Sequence, residues 1–196
     1  QQLSAYLNST TTEIGGLGTC AFEGGVLRVK SLLLPKQEVG GAHTELDQAD
    51  VARLMGERAK AGDLSPLNFW WHSHVNMGTF WSGTDDDTCE RLAEGVPFIL
   101  AIVACQDGRM RARLELRQPI SLTLDDLPIE IETPPVCAEQ VKAWEQEAKD
   151  AMRVKAWSGA DARLPRYYKE GCEDGWADCT AADDRPRRTL AEGDWI

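Results

Sequence analysis

The chain has 196 residues, 42% hydrophobic and 27% charged, a composition typical of one folded domain or one domain with an appendage. Its formal net charge of −11 argues against binding to nucleic acid, whose phosphates need lysine and arginine. No apolar run reaches the roughly 18 residues that a membrane span needs, and no signal peptide is visible. We expect a cytoplasmic protein with no nucleic-acid or membrane partner. The chain begins with Gln1, so whether a leader segment was removed stays open.

Hydrophobic periodicity and turn residues predict alternating strands and helices. Residues 1–12 suit a short helix or an extended segment. The glycines between Glu13 and Phe22 predict a strand that another backbone approaches closely. The further predicted elements are strands over 26–34, 68–74, 97–105, 110–116 and 127–133, and helices over 46–61, from 84 or 85 to about 95, and 137–157.

This order of elements predicts an α/β or α+β fold, with a mixed β-sheet flanked by helices. The strand over 97–105 is almost continuously apolar and is expected at the sheet centre. Residues 110–116 alternate apolar with charged side chains, which predicts a half-exposed antiparallel strand. We assign residues 1–136 to one domain and residues 137–196 to a C-terminal helix and an acidic, tryptophan-containing extension.

The six cysteines give no zinc-finger spacing. Cys20, Cys89, Cys105 and Cys137 lie in predicted elements or at their edges, which favours buried thiols in a reducing compartment. Cys172 and Cys179 lie in the polar extension, where a disulfide between them stays open; neither a C-x-x-C spacing nor a histidine in the extension supports zinc binding.

The most informative segment has the sequence HSHVNMGTFWSGTD. His72 and His74 are one residue apart on a predicted strand, so their side chains lie on the same face. Asp85 follows a Ser-Gly-Thr turn and can complete a set of three ligands. Three protein ligands leave a fourth position open, which is the arrangement of a catalytic zinc site rather than a structural one.

Hydrolysis at such a site also needs a proton carrier and a donor to the oxyanion. Ser82 lies between His74 and Asp85, close enough to donate its hydroxyl. Glu13, which opens the glycine-rich strand, is the best candidate for the general base. Three other glutamates stay possible on sequence alone: Glu23, Glu38 and Glu45.

The spacing of these residues, together with the segment EIGGLG from Glu13, resembles the JAMM/MPN family of zinc metalloproteases, also called the JAB domain. The resemblance implies one zinc ion on His72, His74 and Asp85, with Glu13 as general acid/base and Ser82 as oxyanion donor. It also implies a sheet and flanking helices similar to the cytidine-deaminase fold. One departure is Val75, where many members have proline, and the deaminase signature itself is absent.

The resemblance further implies a zinc-dependent isopeptidase that cleaves bonds at the C-terminal tail of ubiquitin or a ubiquitin-like protein. Two alternatives stay open. One is a zinc hydrolase that processes a sulfur-carrier-like precursor or another amide, and the other is a non-catalytic MPN scaffold that only binds partners. The oligomeric state is left open.

Several neighbouring residues have a simpler structural interpretation. Ser82 is also a suitable helix N-cap, and Asp86 and Asp87 suit the first turn of a helix. Trp70 and Trp71 are equally consistent with core packing and with substrate contact, whereas Phe80 and Trp81 favour a groove wall. His43, between glycines and polar residues, is expected on a surface loop.

Overall fold

The computed structural model describes residues 1–40 and 44–154, which form two β-sheets with packed helices. In chain order the elements are α1 (Gln2–Asn8), β1 (Gly15–Glu23), β2 (Val26–Leu33), β3 (Gln37–Val39), β4 (Thr44–Leu46), α2 (Gln48–Lys60), β5 (Phe69–Ser73), α3 (Gly83–Ala93), β6 (Phe98–Ala104), β7 (Met110–Leu116), β8 (Leu122–Leu127), α4 (Ala138–Ala151) and β9 (Met152–Val154). None of the helices in these ranges is long and apolar enough to cross a membrane.

The larger sheet has six strands in the order β2-β1-β5-β6-β7-β8. Its central pair, β5 and β6, is parallel, and the other neighbours are antiparallel. A second sheet of three strands has the order β4-β3-β9. The larger sheet is therefore mixed and flanked by helices, which confirms the predicted fold class, and the apolar strand β6 lies in its interior as expected.

The alternation of side chains along β5 divides the core into two clusters. Phe69 and Trp71 belong to the cluster that includes residues of α1 and α4, and the Trp71 ring stacks on Tyr6 with ring centroids 5.7 Å apart. Trp70 belongs to the other cluster, which includes Cys89 and Ala93 of α3. The side of the sheet covered by α3 is thus also the side on which the His72 ring lies, stacked on Trp70.

Most predicted elements are present with small shifts in their bounds, but the predicted strand over 127–133 is wrong. The last strand of the large sheet, β8, ends at Leu127, and the described residues between it and α4 have no regular structure. Pro128 has no backbone N–H to donate to a ladder, so pairing with β7 stops there. The alternating Leu122 and Leu124 were the better signal for this strand.

The predicted helix over 137–157 begins as expected but ends at Ala151, because the chain enters β9 and pairs with β3 in parallel. Helix α4 packs against α1, and the Tyr6 hydroxyl donates to Glu147 Oε2 at 2.7 Å. The division at residue 136 stays a prediction. Residues 155–196, with Cys172 and Cys179, lie outside the described residues.

The prediction that β7 exposes its charged face is wrong for two residues. Arg113 and Glu115 are only 9% and 6% exposed. Helix α3 packs against β7 on this side, and Arg113 is paired with carboxylates of α3 and β8. Burial of these charges is possible because partners satisfy them.

The packing of β1 gives a test of the fold. A Cβ at Gly16 would lie 2.4 Å from the Leu33 carbonyl oxygen and 2.7 Å from the Trp71 ring. Because backbone and a buried indole cannot easily yield, Gly16→Ala should lower the free energy of unfolding by about 1–3 kcal/mol, the usual cost of overpacking. Urea denaturation measures this change.

The matched control is Gly56→Ala in α2, where an added Cβ would meet no atom within 4 Å. Alanine has the higher helix propensity, so this variant should gain up to about 1 kcal/mol. Equal stability of Gly16→Ala and the wild type would contradict the close approach of β1 to its neighbours.

Candidate metal centre

Strand β5 delivers the two histidines to one place. His72 pairs with Gly15 of β1 on one side and with Val103 of β6 on the other. His74 follows the end of the strand, and its N–H donates to the Ala104 carbonyl at 3.0 Å, so its backbone is held by β6 as well. Both histidines are buried, at 3% and 5% exposure. Two imidazoles therefore share one face at the end of a central strand.

Asp85 enters the site from the start of α3. Its carboxylate accepts from the Ser82 backbone N–H at 2.7 Å, while Ser82 Oγ accepts from the Asp85 N–H at 3.2 Å, which forms a reciprocal capping box. We name residues Ser82–Asp85 the capping segment. The same Asp85 carboxylate points to the histidines, so capping and contact with the imidazoles are compatible. The structure confirms that Ser82 is the helix N-cap.

The three side chains converge as the donors of a metal ion would. His72 Nε2 lies 3.0 Å from His74 Nε2 and 3.1 Å from Asp85 Oδ1, and His74 Nε2 lies 3.5 Å from Asp85 Oδ2. Donors at zinc distances of about 2.0–2.1 Å in a tetrahedral arrangement are roughly 3.3 Å apart. Imidazole nitrogen and carboxylate oxygen are also ligands that zinc accepts. The donor set therefore fits a divalent ion.

The two rings are oriented in different ways. His74 Nδ1 lies 3.1 Å from the Gly78 carbonyl oxygen, the kind of hydrogen bond that directs the other ring nitrogen to a metal. His72 Nδ1 is buried and has no hydrogen-bond partner among the described residues. The His72 ring is instead stacked on Trp70, with centroids 4.5 Å apart and an interplanar angle of 17°. Aromatic packing thus orients His72, where a hydrogen bond orients His74.

The electrostatics of the cluster suit a bound cation at two of its three candidate ligands. Burial opposes the charge of Asp85, but hydrogen bonds with His72 and His74 hold the pKa of its carboxyl well below the usual range. Burial lowers the pKa of His72. Burial also opposes the charged form of His74, yet its hydrogen bond with Asp85 raises its pKa above the ordinary value. An ionised carboxylate and a neutral imidazole are the forms that bind metal, so Asp85 and His72 are in the binding form, whereas a cation at His74 would displace a proton.

Glu13 lies on the same face as the histidines. Gly15 pairs with His72, and the Ser73 N–H donates to the Ile14 carbonyl at 2.8 Å, so continuing this antiparallel register places Glu13 opposite His74. Glu13 is 7% exposed, and burial raises the pKa of its carboxyl to about 7, an effect that His74 opposes and Asp85 reinforces. The side chain is therefore electrostatically coupled to the candidate ligands and poised between its charged and neutral forms.

Gln37 fixes the start of β1 beside Glu13. Its buried side-chain amide accepts from the Gly15 N–H at 2.9 Å and donates to the Gly15 carbonyl at 2.9 Å, as a neighbouring strand would. Sequence reasoning missed this residue, because a single glutamine in a three-residue strand gives no periodic signal. Its role is to hold the backbone that carries Glu13.

The other glutamates differ from Glu13 in position. Glu23 ends β1, eight residues after Gly15, and therefore lies roughly 26 Å along the strand. Its carboxylate binds Lys30 at 2.7 Å and is half exposed. Glu38 and Glu45 pair across β3 and β4 in the small sheet. The pKa of Glu13 responds to both His74 and Asp85.

The segment from Val75 to Trp81 forms an apolar border of the site. Phe80 is 47% exposed and its ring centroid lies 4.7 Å from that of His74; Met77 is 53% exposed. The Trp81 ring lies 6.1 Å from His72 and 6.5 Å from Trp70. Trp71, by contrast, is fully buried in the core. His43 lies outside the described residues.

Comparison with protein-family models identifies a match to prokaryotic homologs of the JAB domain, over residues 4–115. A search among curated proteins gives no match. The matched range covers more than half of the chain and includes Glu13, Ser82 and the three candidate metal ligands. This match and the His-His-Asp cluster fit a metal-dependent hydrolase of the JAMM type. The chain belongs to the family of prokaryotic JAB-domain homologs.

Proposed function

We propose that the protein is a zinc metallopeptidase that hydrolyses a peptide or isopeptide bond at the C-terminal tail of ubiquitin or a ubiquitin-like protein. The observation that carries this proposal is the convergence of His72, His74 and Asp85, whose ligand atoms all lie within 4.8 Å of one another, beside the buried Glu13. Ionisable side chains are costly to bury together, and a bound cation would compensate that cost.

In this proposal His72, His74 and Asp85 hold the ion. When bound, zinc supplies Lewis-acid polarisation of a carbonyl and acidification of water at neutral pH. Three ligands of this type leave room for substrate, unlike a closed structural site. The buried environment excludes bulk water and strengthens each electrostatic interaction within the site.

Glu13 would move the protons. Its carboxylate accepts one from the attacking water, then delivers a proton to the departing amine, so that water and amide become acid and amine. A base is most effective when its pKa lies near the working pH, and burial brings that of Glu13 to about 7. Cation binding nearby would favour the ionised form that accepts the first proton.

Ser82 would stabilise the oxyanion of the tetrahedral intermediate. Its hydroxyl now donates to Asp85 Oδ2 at 2.7 Å, while its backbone N–H donates to the same oxygen. The hydroxyl can therefore turn towards substrate without leaving that oxygen unsatisfied, because the N–H remains.

The substrate class rests on the family resemblance together with the border of the site. Met77 and Phe80 expose apolar surface next to His74, which suits the side chains of an extended peptide. The second candidate, already open from the sequence, is a zinc hydrolase acting on a sulfur-carrier-like precursor or another amide. The complete ligand set counts against a scaffold that lacks activity.

The substrate experiment compares two fusions, one with ubiquitin and one with a sulfur-carrier-like protein, each followed by a short C-terminal extension. We expect zinc-dependent release of an extension, abolished by a chelator and restored by zinc. Cleavage of only the second fusion would select the second candidate. Stoichiometric zinc without cleavage of either would indicate a different amide, whereas absence of zinc would support a scaffold.

The metal set itself is tested by Asp85→Asn. This variant keeps an oxygen that can accept from the Ser82 N–H, so the helix start is preserved, but it removes the negative charge from the ligand set. We expect about one zinc per chain in the wild type and a tenfold or greater loss of affinity in the variant, measured by competition with a chelator. Asp87→Asn, an exposed neighbour in α3, is the control and should bind zinc normally.

The role of Glu13 is tested by Glu13→Gln, which keeps shape and removes proton transfer. Turnover should fall by about 10²–10⁴-fold, the usual contribution of a general base, while zinc content stays at the wild-type level. Glu23→Gln at the far end of β1 is the control and should keep full activity. A nearly unchanged rate in Glu13→Gln would assign the base to another residue.

The two roles of Ser82 can be separated by comparing alanine with glycine. Ser82→Ala removes cap and hydroxyl, and should cost about 1 kcal/mol of stability; Ser82→Gly caps almost as well and should cost only a few tenths. If the hydroxyl stabilises an oxyanion, both variants should lose about 10²–10³-fold in kcat at equal zinc content. If kcat instead falls only in the less stable Ser82→Ala, and Ser82→Gly keeps a kcat close to that of the wild type, Ser82 acts only as a helix cap.

A further inference from the structure

Arg113 on β7 is a buried cation next to the candidate metal centre. Its side chain is 11% exposed, and its guanidinium donates from Nε to Asp125 Oδ1 of β8 at 2.7 Å. Another nitrogen of the same fork donates to Asp86 Oδ1 of α3. Arg113 thus joins the edge of the sheet to the first turn of the helix that carries Asp85.

The same guanidinium also covers Trp81. Its central carbon lies 4.7 Å from the centroid of the indole ring, within the range of a cation–π contact. The Trp81 ring in turn neighbours His72 and Trp70. The indole Nε1 of Trp81 is buried without a hydrogen-bond partner in the described part of the chain, so packing rather than a hydrogen bond of this nitrogen holds the ring.

Trp81 and Asp86 are the residues immediately before and after the capping segment. Arg113 therefore contacts both flanks of the four residues that place Asp85 and the Ser82 hydroxyl. A planar fork can make these contacts at once, donating in its plane while stacking on an aromatic face, which a lysine ammonium cannot do.

We propose that Arg113 is a positioning residue of the metal centre, which clamps the capping segment through Trp81 and Asp86 and so sets where Asp85 meets His72 and His74. This inference rests on the metal centre proposed above. It assigns Arg113 no contact with substrate or metal; its effect passes through α3 and Trp81.

Arg111 supplies a matched control on the same strand. Its Nε donates to Asp126 Oδ1 at 2.6 Å and its terminal nitrogen to Asp126 Oδ2 at 3.1 Å. This pair also joins β7 to β8, but no ion pair of Arg111 with α3 is seen among the described residues. Loss of a strand-to-strand ion pair can therefore be separated from loss of the link to the helix.

The test measures affinity for Co²⁺ alone, by its visible absorption, in the full chain stripped of metal and well below its melting temperature. We expect Arg113→Gln to weaken Co²⁺ binding by about tenfold, the lower end of what supporting residues contribute. Asp86→Asn should also weaken Co²⁺ binding. Arg113→Lys should bind Co²⁺ as weakly as Arg113→Gln, because an ammonium lacks the planar fork of the guanidinium. Arg111→Gln and Asp126→Asn should stay within about twofold of the wild type.

Hydrogen exchange gives a readout that does not need the metal. Without Co²⁺, the amides of the first turn of α3 should exchange faster in Arg113→Gln and Asp86→Asn than in Arg111→Gln. If Arg113→Gln fails to fold, Asp86→Asn and Arg113→Lys carry the test, since Asp86 is 41% exposed.

The outcomes separate this inference from the proposed function. Wild-type affinity for Co²⁺ in Asp86→Asn and in the folded Arg113 variants, with a lower melting temperature, would show a purely structural role and overturn the inference alone. Equal weakening by Arg111→Gln would overturn it too. If the wild type itself binds no Co²⁺, the proposed metal centre fails and the inference fails with it.

Discussion

The antiparallel pairing of β1 with β5 is the constraint on which the candidate site depends. Gly15 lies opposite His72, and continuing this register by two residues brings Glu13 opposite His74. A shift of one residue would turn Glu13 to the opposite face of the sheet and away from the imidazoles. The close approach of β1 is possible because Gly16 and Gly18 have no Cβ; one at Gly18 would lie 2.2 Å from the Ser31 carbonyl oxygen. The glycines that follow the glutamate thus permit the close pairing that gives Glu13 its position.

Asp85 has two roles at once. Its carboxylate accepts from the backbone N–H at the start of α3, and the same carboxylate faces the two histidines. Helix N-termini carry unsatisfied N–H groups and a partial positive charge, both of which favour an ionised carboxylate. The Ser82 N–H and hydroxyl add two further donors. The carboxylate is consequently kept charged inside a buried site, where a lone aspartate would be costly. Helix geometry and ligand chemistry require the same ionised group here.

The sequence predicts the three candidate ligands but not the residues that support them. The amino-acid sequence places His72 and His74 on one face through an H-x-H pair on a strand, and its resemblance to the JAMM/MPN family predicts that Asp85 joins them. It does not predict the position of Arg113, because alternation on β7 indicated exposure, and only the position of α3 shows that this face is covered. Gln37, which bonds to Gly15, and the pairing of β3 with β9 depend in the same way on partners far along the chain. Long-range pairing is the information that periodicity lacks.

The loop after His74 begins with Val75, at the position where the family resemblance predicts proline. Val75 has φ of 49°, a left-handed conformation that proline, fixed near −65°, cannot adopt. A β-branched residue in this region costs of order 1–3 kcal/mol and persists only when neighbours hold it. Two backbone hydrogen bonds do so: the Met77 N–H donates to the His74 carbonyl at 2.8 Å, and the Gln106 N–H to the Val75 carbonyl at 2.9 Å. The turn they close brings the Gly78 carbonyl to His74 Nδ1. Strain at Val75 is thus coupled to the orientation of His74, and proline could not replace Val75 in this turn.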